Sequence, residues 1–133
     1  MRSMTSSAST GQPKTQVYVS VTCLARISDK EFHLWEVEKY YPLNVFKKSG
    51  QWYHFRDFEG DEAWIHKLLV SNILTIITKK EKCNIRSGPG TGFSIAFTVE
   101  KGVPFKVIKY QGSWTYIEHA DGDKGWIYNS LVW

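Results

Sequence analysis

Helix signals are almost missing from this 133-residue chain. Apolar residues alternate at period two, and Gly, Asp, Asn or Ser breaks the pattern about every eight to twelve residues, which predicts an all-β fold. No apolar run approaches the length that a membrane-spanning helix requires. Residues 1–16 are rich in Ser and Thr and lack the apolar stretch of a secretory signal, so they read as a disordered tail or a remnant. The glycine-rich segment Ser87-Gly-Pro-Gly-Thr-Gly92 has neither the Gly-Lys-Ser/Thr ending nor the following helix of a phosphate cradle, which excludes nucleotide binding of that kind. His33, His54, His66 and His119 show no close ligand spacing, so no metal and no cofactor are expected.

What the chain does have is an internal repeat. Gly50 to Val70 lies 62 positions ahead of Gly112 to Val132: Trp52, Gly60, Asp61, Trp64, Ile65, Leu69 and Val70 recur as Trp114, Gly122, Asp123, Trp126, Ile127, Leu131 and Val132. Upstream, Pro42 answers to Pro104 at the same spacing, while Cys23 and Arg26 answer to Cys83 and Arg86 at 60. The two-residue deficit falls between Arg26 and Pro42. A repeat sets the unit of folding. The domain reading is a tail at 1–16, a first unit at 17–72 and a second at 73–133. Units this small bury about 60% of the surface of their unfolded chains and gain from packing on a neighbour. With so few strands, each sheet must close on itself or expose apolar edges, and a small, strongly bent barrel is the economical solution.

Strands are expected at Val17–Arg26, Tyr41–Phe46, Trp52–Asp57 and Ala63–Ile65 in the first unit. In the second they are expected at Leu74–Thr78, Cys83–Arg86, Ile95–Val99, Phe105–Tyr110, Trp114–His119 and Gly125–Ile127. Asp121-Gly122 marks a hairpin. The glycine loop of the second unit has Ser28-Asp-Lys-Glu31 as its counterpart, with no glycine or proline. Cys23 and Cys83 fall in different units, which rules out a bridge within either one; a bridge between the units would require their first strands to approach, and two buried thiols are the favoured reading. The formal charge of +4 is held unevenly: seven basic and eight acidic residues from Val17 to Asn72, eight and five from Ile73 onward. That favours encounters with anionic partners without naming one.

Cys83-Asn-Ile-Arg-Ser-Gly-Pro-Gly-Thr-Gly-Phe93, followed by Gly112-Ser-Trp114 and Gly125-Trp-Ile127, resembles the signature of the bacterial SH3 family (SH3b, SH3 type 3 or type 4) across Ile73 to Trp133. Arg56-Asp-Phe-Glu-Gly-Asp-Glu-Ala-Trp-Ile-His66 resembles the family's ending in the first unit, with Ala63 where glycine is usual and without the Arg-Ser-Gly-Pro-Gly loop. The resemblance implies two tandem SH3-like barrels. It further implies an envelope or periplasmic setting in bacteria and binding of peptidoglycan or of an envelope peptide or protein. A protein adaptor without wall binding is the alternative, and a nucleic-acid-binding barrel a weaker one. Fold alone does not fix function.

Strand alternation with Thr115 and Ile117 inward turns Trp114, Tyr116 and Glu118 outward, and Trp52, His54 and Arg56 likewise. Outward Trp and Tyr on rigid strands suit recognition of peptide, sugar or protein, although Trp114 could equally pack beneath the glycine loop or on the other barrel. Trp64 and Trp126, each beside Ile and after a small residue, read as structural. The ligand-binding candidates are therefore Trp52, Trp114 and Tyr116, joined through the resemblance by Arg86, Ser87, Pro89, Thr91, Phe93, Tyr128 and its counterpart His66. Arg86 could brace the loop or offer its guanidinium to a carboxylate ligand. No catalytic residue is expected, because each Cys lies inside a strand pattern with no positioned His beside it.

Overall fold

Two-residue hairpins punctuate both halves of the chain in the same way. Ser49 pairs with Trp52 and Gln111 with Trp114, leaving Gly50-Gln51 and Gly112-Ser113 as the turns. Gly50 and Gly112 have φ of 59° and 58°, the left-handed first position that a type II′ turn requires and glycine adopts without strain. In this computed structural model the backbone is described at residues 16–18, 22–28 and 31–133, and side chains from Val37 onward. Residues 1–15 of the predicted tail, the Cys23 side chain and residues 29–30 lie outside the described residues.

The first sheet contains β1 (Gln16–Tyr18), β2 (Thr22–Ser28), β3 (Glu31–Glu36), β4 (Tyr41–Ser49), β5 (Trp52–Arg56), β6 (Glu62–His66) and β7 (Val70–Ser71), in the order β3-β2-β6-β5-β4-β1-β7. The second contains β8 (Thr75–Ile77), β9 (Lys82–Arg86), β10 (Ile95–Glu100), β11 (Pro104–Gln111), β12 (Trp114–Glu118) and β13 (Lys124–Tyr128), in the order β10-β9-β13-β12-β11-β8. Short 3-10 turns at Lys67–Leu69 and Asn129–Leu131 follow β6 and β13. The chain is thus all-β, in two small barrel-like units. No helix among the described residues is long and apolar enough to cross a membrane.

Each unit ties its beginning to its end. Val17 and Tyr18 pair with Ser71 and Val70. In the second unit Ile77 exchanges both backbone hydrogen bonds with Trp133, and Thr78 bridges Val132. The units meet where β4 runs beside β8 and β11, and a Cβ on Gly102 would touch the Phe58 ring of the first unit at 3.7 Å.

The cores are separate. Val37, Leu43, Phe55 and Ile65 fill one; Ile76, Cys83, Ile85, Phe105, Val107, Ile117, Ile127 and Val132 fill the other. Each has one fully buried phenylalanine, on different strands. In the first unit Phe55 lies on β5 with Leu43 on β4; in the second the repeat equivalents are Ile117 on β12 and Phe105 on β11. Exchanging a large and a medium side chain across neighbouring strands preserves total volume, the change that cores tolerate best. A second exchange involves Gly125. A Cβ there would overlap Ile85 Cγ2 and lie 3.1 Å from the Arg86 carbonyl. The first unit has Ala63 at the position of Gly125 and Ala25 at that of Ile85, in the matching register, since Arg26 faces Trp64 as Arg86 faces Trp126.

Three expectations need correction. The strand read as Val17–Arg26 is two strands: β1 pairs with β4 and β7, and β2 with β3 and β6. Gln16, assigned to the tail, belongs to β1 and faces Leu43. The stretch from Glu31 to Glu36 is a strand that the sequence reading passed over, and Ser28 pairs directly with Glu31 where a loop was expected. The repeat deficit is also composite. Cys23 faces Trp35 as Cys83 faces Val99, so the first unit has four residues fewer between Arg26 and Trp35 than the second has between Arg86 and Val99. Two of them are regained before Tyr40, the counterpart of Gly102.

That counterpart is strained. Tyr40 has φ of 72°, while Gly102 adopts φ of 87° without a Cβ. The left-handed region costs a non-glycine residue roughly 1–2 kcal/mol, offset in part by the greater unfolded-chain freedom of glycine. Tyr40→Gly is therefore expected to raise unfolding free energy by up to about 1 kcal/mol, read as a higher urea midpoint at unchanged slope.

Candidate functional site

The second unit carries an open groove of about 590 Å³ whose walls come from five elements of the chain. Strand β9 alternates cleanly. Cys83 and Ile85 are buried in the core, while Lys82, Asn84 and Arg86 project the other way and line one wall. Gly90 and Thr91 of the loop supply the rim, Trp114 of β12 and Tyr128 of β13 form the facing aromatic wall, and Leu131 of the 3-10 turn closes one end.

The aromatic wall is fixed from behind. Trp114 and Tyr128 face each other in register, with ring centroids 5.4 Å apart at 65°, an edge-to-face contact. Between them and the core, buried Thr115 donates to Asn129 Oδ1 at 2.6 Å, and the Asn129 amide donates to the Ser113 carbonyl at 2.9 Å. These bonds anchor the turn that carries Leu131. Tyr128 remains 43% exposed, so its ring presents both an apolar face and a hydroxyl to solvent.

The loop is braced internally. Arg86 Nη1 donates to the carbonyls of Phe93 (2.9 Å) and Thr91 (3.3 Å), and the Ser87 amide donates to the Ser94 carbonyl at 2.9 Å. A Cβ on Gly88 would overlap the Phe93 ring, so the ring lies directly on glycine backbone. The bracing role open to Arg86 is thus observed, through one of its terminal nitrogens.

Of the ten residues singled out from sequence, the groove brings together Arg86, Thr91, Trp114 and Tyr128. Ser87, Pro89 and Phe93 shape the loop without lining the groove, and Phe93 is 49% exposed on it. Tyr116 lies one step along the outer ladder against Trp126, at 4.9 Å and 30°, with Lys109 Nζ 5.8 Å from its ring. Trp126 is itself buried. Trp52 and His66 repeat the edge-to-face pair in the first unit at 5.5 Å and 73°, but His66 Nδ1 also accepts the Leu68 amide and caps the following turn. Beside them His54 stacks on Trp64 at 4.5 Å and 11°. Lys82, Asn84, Gly90 and Leu131 were missed. Period-two alternation from buried Cys83 and Ile85 would have found Lys82 and Asn84.

Residues 24–72 and 79–133 each match the bacterial SH3 domain family. The chain belongs to that family. The B. subtilis protein named "Putative N-acetylmuramoyl-L-alanine amidase YrvJ" is 36% identical over 52 residues, covering 39% of this chain and 10% of the relative. The S. epidermidis protein named "Probable cell wall amidase LytH" is also 36% identical over 52 residues, 38% of this chain and 18% of the relative. The matches thus span less than a fifth of these curated relatives. Among solved structures, NlpC2 from Trichomonas vaginalis aligns over 92% of this chain and 48% of its own, with a TM-score of 0.39 and 13% identity.

Two features elsewhere complete the chemistry of this tandem bacterial SH3 chain. Cys83 is a free, buried thiol directed at the Lys80 carbonyl, and burial pushes its ionisation up, away from a reactive thiolate. In the first unit the carboxylates of Asp57, Glu59 and Asp61 lie within 4.8 Å of one another. Buried Asp57 is engaged there by the amides of Glu59 and Asp61 and by the Tyr41 hydroxyl at 3.2 Å. Burial first, and the Asp57 charge second, hold the Tyr41 phenol protonated far above its usual range. This constellation fixes the Asp57–Asp61 turn.

Proposed function

We propose that this chain is a non-catalytic binding module of the bacterial cell envelope, and that the groove of its second unit holds peptidoglycan. The observation that carries this reading is the edge-to-face Trp114–Tyr128 wall, set on rigid strands opposite a row of polar side chains and left open to solvent. Rigid aromatic surface orders little on binding and is a common anchor for peptide and sugar. The names of the relatives, cell wall amidase among them, agree with a wall ligand. The groove lining contains no histidine, cysteine or carboxylate, and Cys83 is buried on the inner side of β9, which supports binding over hydrolysis.

Trp114→Ala is expected to weaken cosedimentation with purified sacculi about tenfold or more, a loss in the range of an interface hot spot. Trp114 lies outside the buried core cluster, so cooperative unfolding should be kept. Unchanged sedimentation with this variant would remove the groove assignment. Retention of the wild-type chain by a protein partner but not by sacculi would replace wall binding with an adaptor role.

A further inference from the structure

The lining of this groove is electrically one-sided. It contains Lys82 and Arg86 and no acidic residue. Among the described residues neither cation makes an ion pair, and the side-chain carboxamide of half-buried Asn84 between them makes no hydrogen bond. The nearest acid by register is exposed Glu100, opposite Lys82 on β10, and it belongs neither to the lining nor to an ion pair. Nη1 of Arg86 is occupied by the loop carbonyls, which fixes where the guanidinium sits.

The three donors are evenly spaced. Lys82, Asn84 and Arg86 occupy alternate positions of one strand, so the backbone positions that carry the two cations stand about 13 Å apart along it, with a side-chain amide midway. An extended peptide advances by the same rise, so about four of its residues cover that distance. At the corresponding register positions the first unit has Thr22, Leu24 and Arg26, which retain one cation of the two.

We infer that the groove selects an extended peptide of about four residues with a carboxylate at each end, one meeting Lys82 and the other Arg86. Asn84 donates to the peptide backbone between them, and an apolar side chain lies on the Trp114–Tyr128 wall. This rests on the binding reading above and names the ligand chemistry of the same groove. Carboxylates rather than phosphates fit because two separated single charges match two separated cations, whereas a phosphate concentrates its charge at one point.

The test is calorimetric titration of the full chain with an acetylated synthetic tetrapeptide that has glutamate first and a free carboxyl end. Forms amidated at either end or at both are titrated alongside. Each amidation is expected to weaken binding about fivefold, in keeping with a partly exposed charge pair. Lys82→Gln should lower affinity for the diacid by the same factor, match one mono-amide in doing so, and leave the diamide unchanged. Equal affinity for all four peptides would overturn the inference, as would displacement of the diacid by inorganic phosphate at equal concentration. Sacculus binding distinguishes the two failures. Sacculi that hold the protein while amidation has no effect would leave wall binding standing and sink the diacid. Diacid binding without retention by sacculi would do the reverse.

Discussion

Phe105→Ala is expected to cost the second unit about 3–5 kcal/mol. The ring is fully buried at the centre of the larger core and meets the His119 imidazole edge-on at 5.5 Å, so its loss leaves a cavity that neighbouring strands cannot close. A unit of this size has only about 3–9 kcal/mol of stability at roughly 0.05–0.15 kcal/mol per residue, which places the variant close to unfolding. Urea denaturation should show the second unit melting early while signals from the first persist. The layout of the first unit provides the control. Phe105→Leu combined with Ile117→Phe recreates the pairing of Leu43 with Phe55 and should recover most of the loss, since it restores volume on the adjacent strand. A cost under about 1 kcal/mol for the alanine variant would contradict a cavity at this site.

Gly125→Ala should destabilise the same unit by about 1–3 kcal/mol, the usual cost of forcing a methyl into filled space. The overlapping atom is Ile85 Cγ2, and the Arg86 carbonyl beyond it limits retreat. Ile85→Ala alone is expected to cost about 2–5 kcal/mol by opening a hole. The double variant should then cost less than the two singles added, by about 1–2 kcal/mol, because the new methyl enters the vacated volume. That combination is the one found in the first unit as Ala63 and Ala25. Strict additivity in the cycle would show that the two positions do not compete for one space.

These exchanges explain why the fold was legible and the site only partly so. The 62-residue spacing, the turn glycines and the alternating strands gave the class, the duplication and most strands, because each depends on local backbone chemistry. Glu31–Glu36 is not legible by alignment to the repeat, because the first unit has a shortened hairpin where the second has Ser87–Gly92 and a lengthened turn after it. Trp114 was readable from Thr115 and Ile117 facing inward, whereas its partner Tyr128 entered only through the family resemblance. The opposite wall follows from the same alternation on β9, which turns Lys82, Asn84 and Arg86 away from buried Cys83 and Ile85. That Ser87, Pro89 and Phe93 serve the loop's shape depends on how the loop folds back on itself, with Phe93 resting on Gly88 and Arg86 holding two carbonyls. No spacing rule encodes that.

The pairing of each unit's first strand with its own last residues also governs how the chain responds to tension. Because these segments run antiparallel, with Val17 beside Ser71 and Ile77 beside Trp133, the backbone enters and leaves each barrel at the same end of the ladder. A pull along the chain therefore loads those hydrogen bonds one after another, as a zipper opens, rather than shearing them all together. Stretching would peel the seams apart before it strained either core.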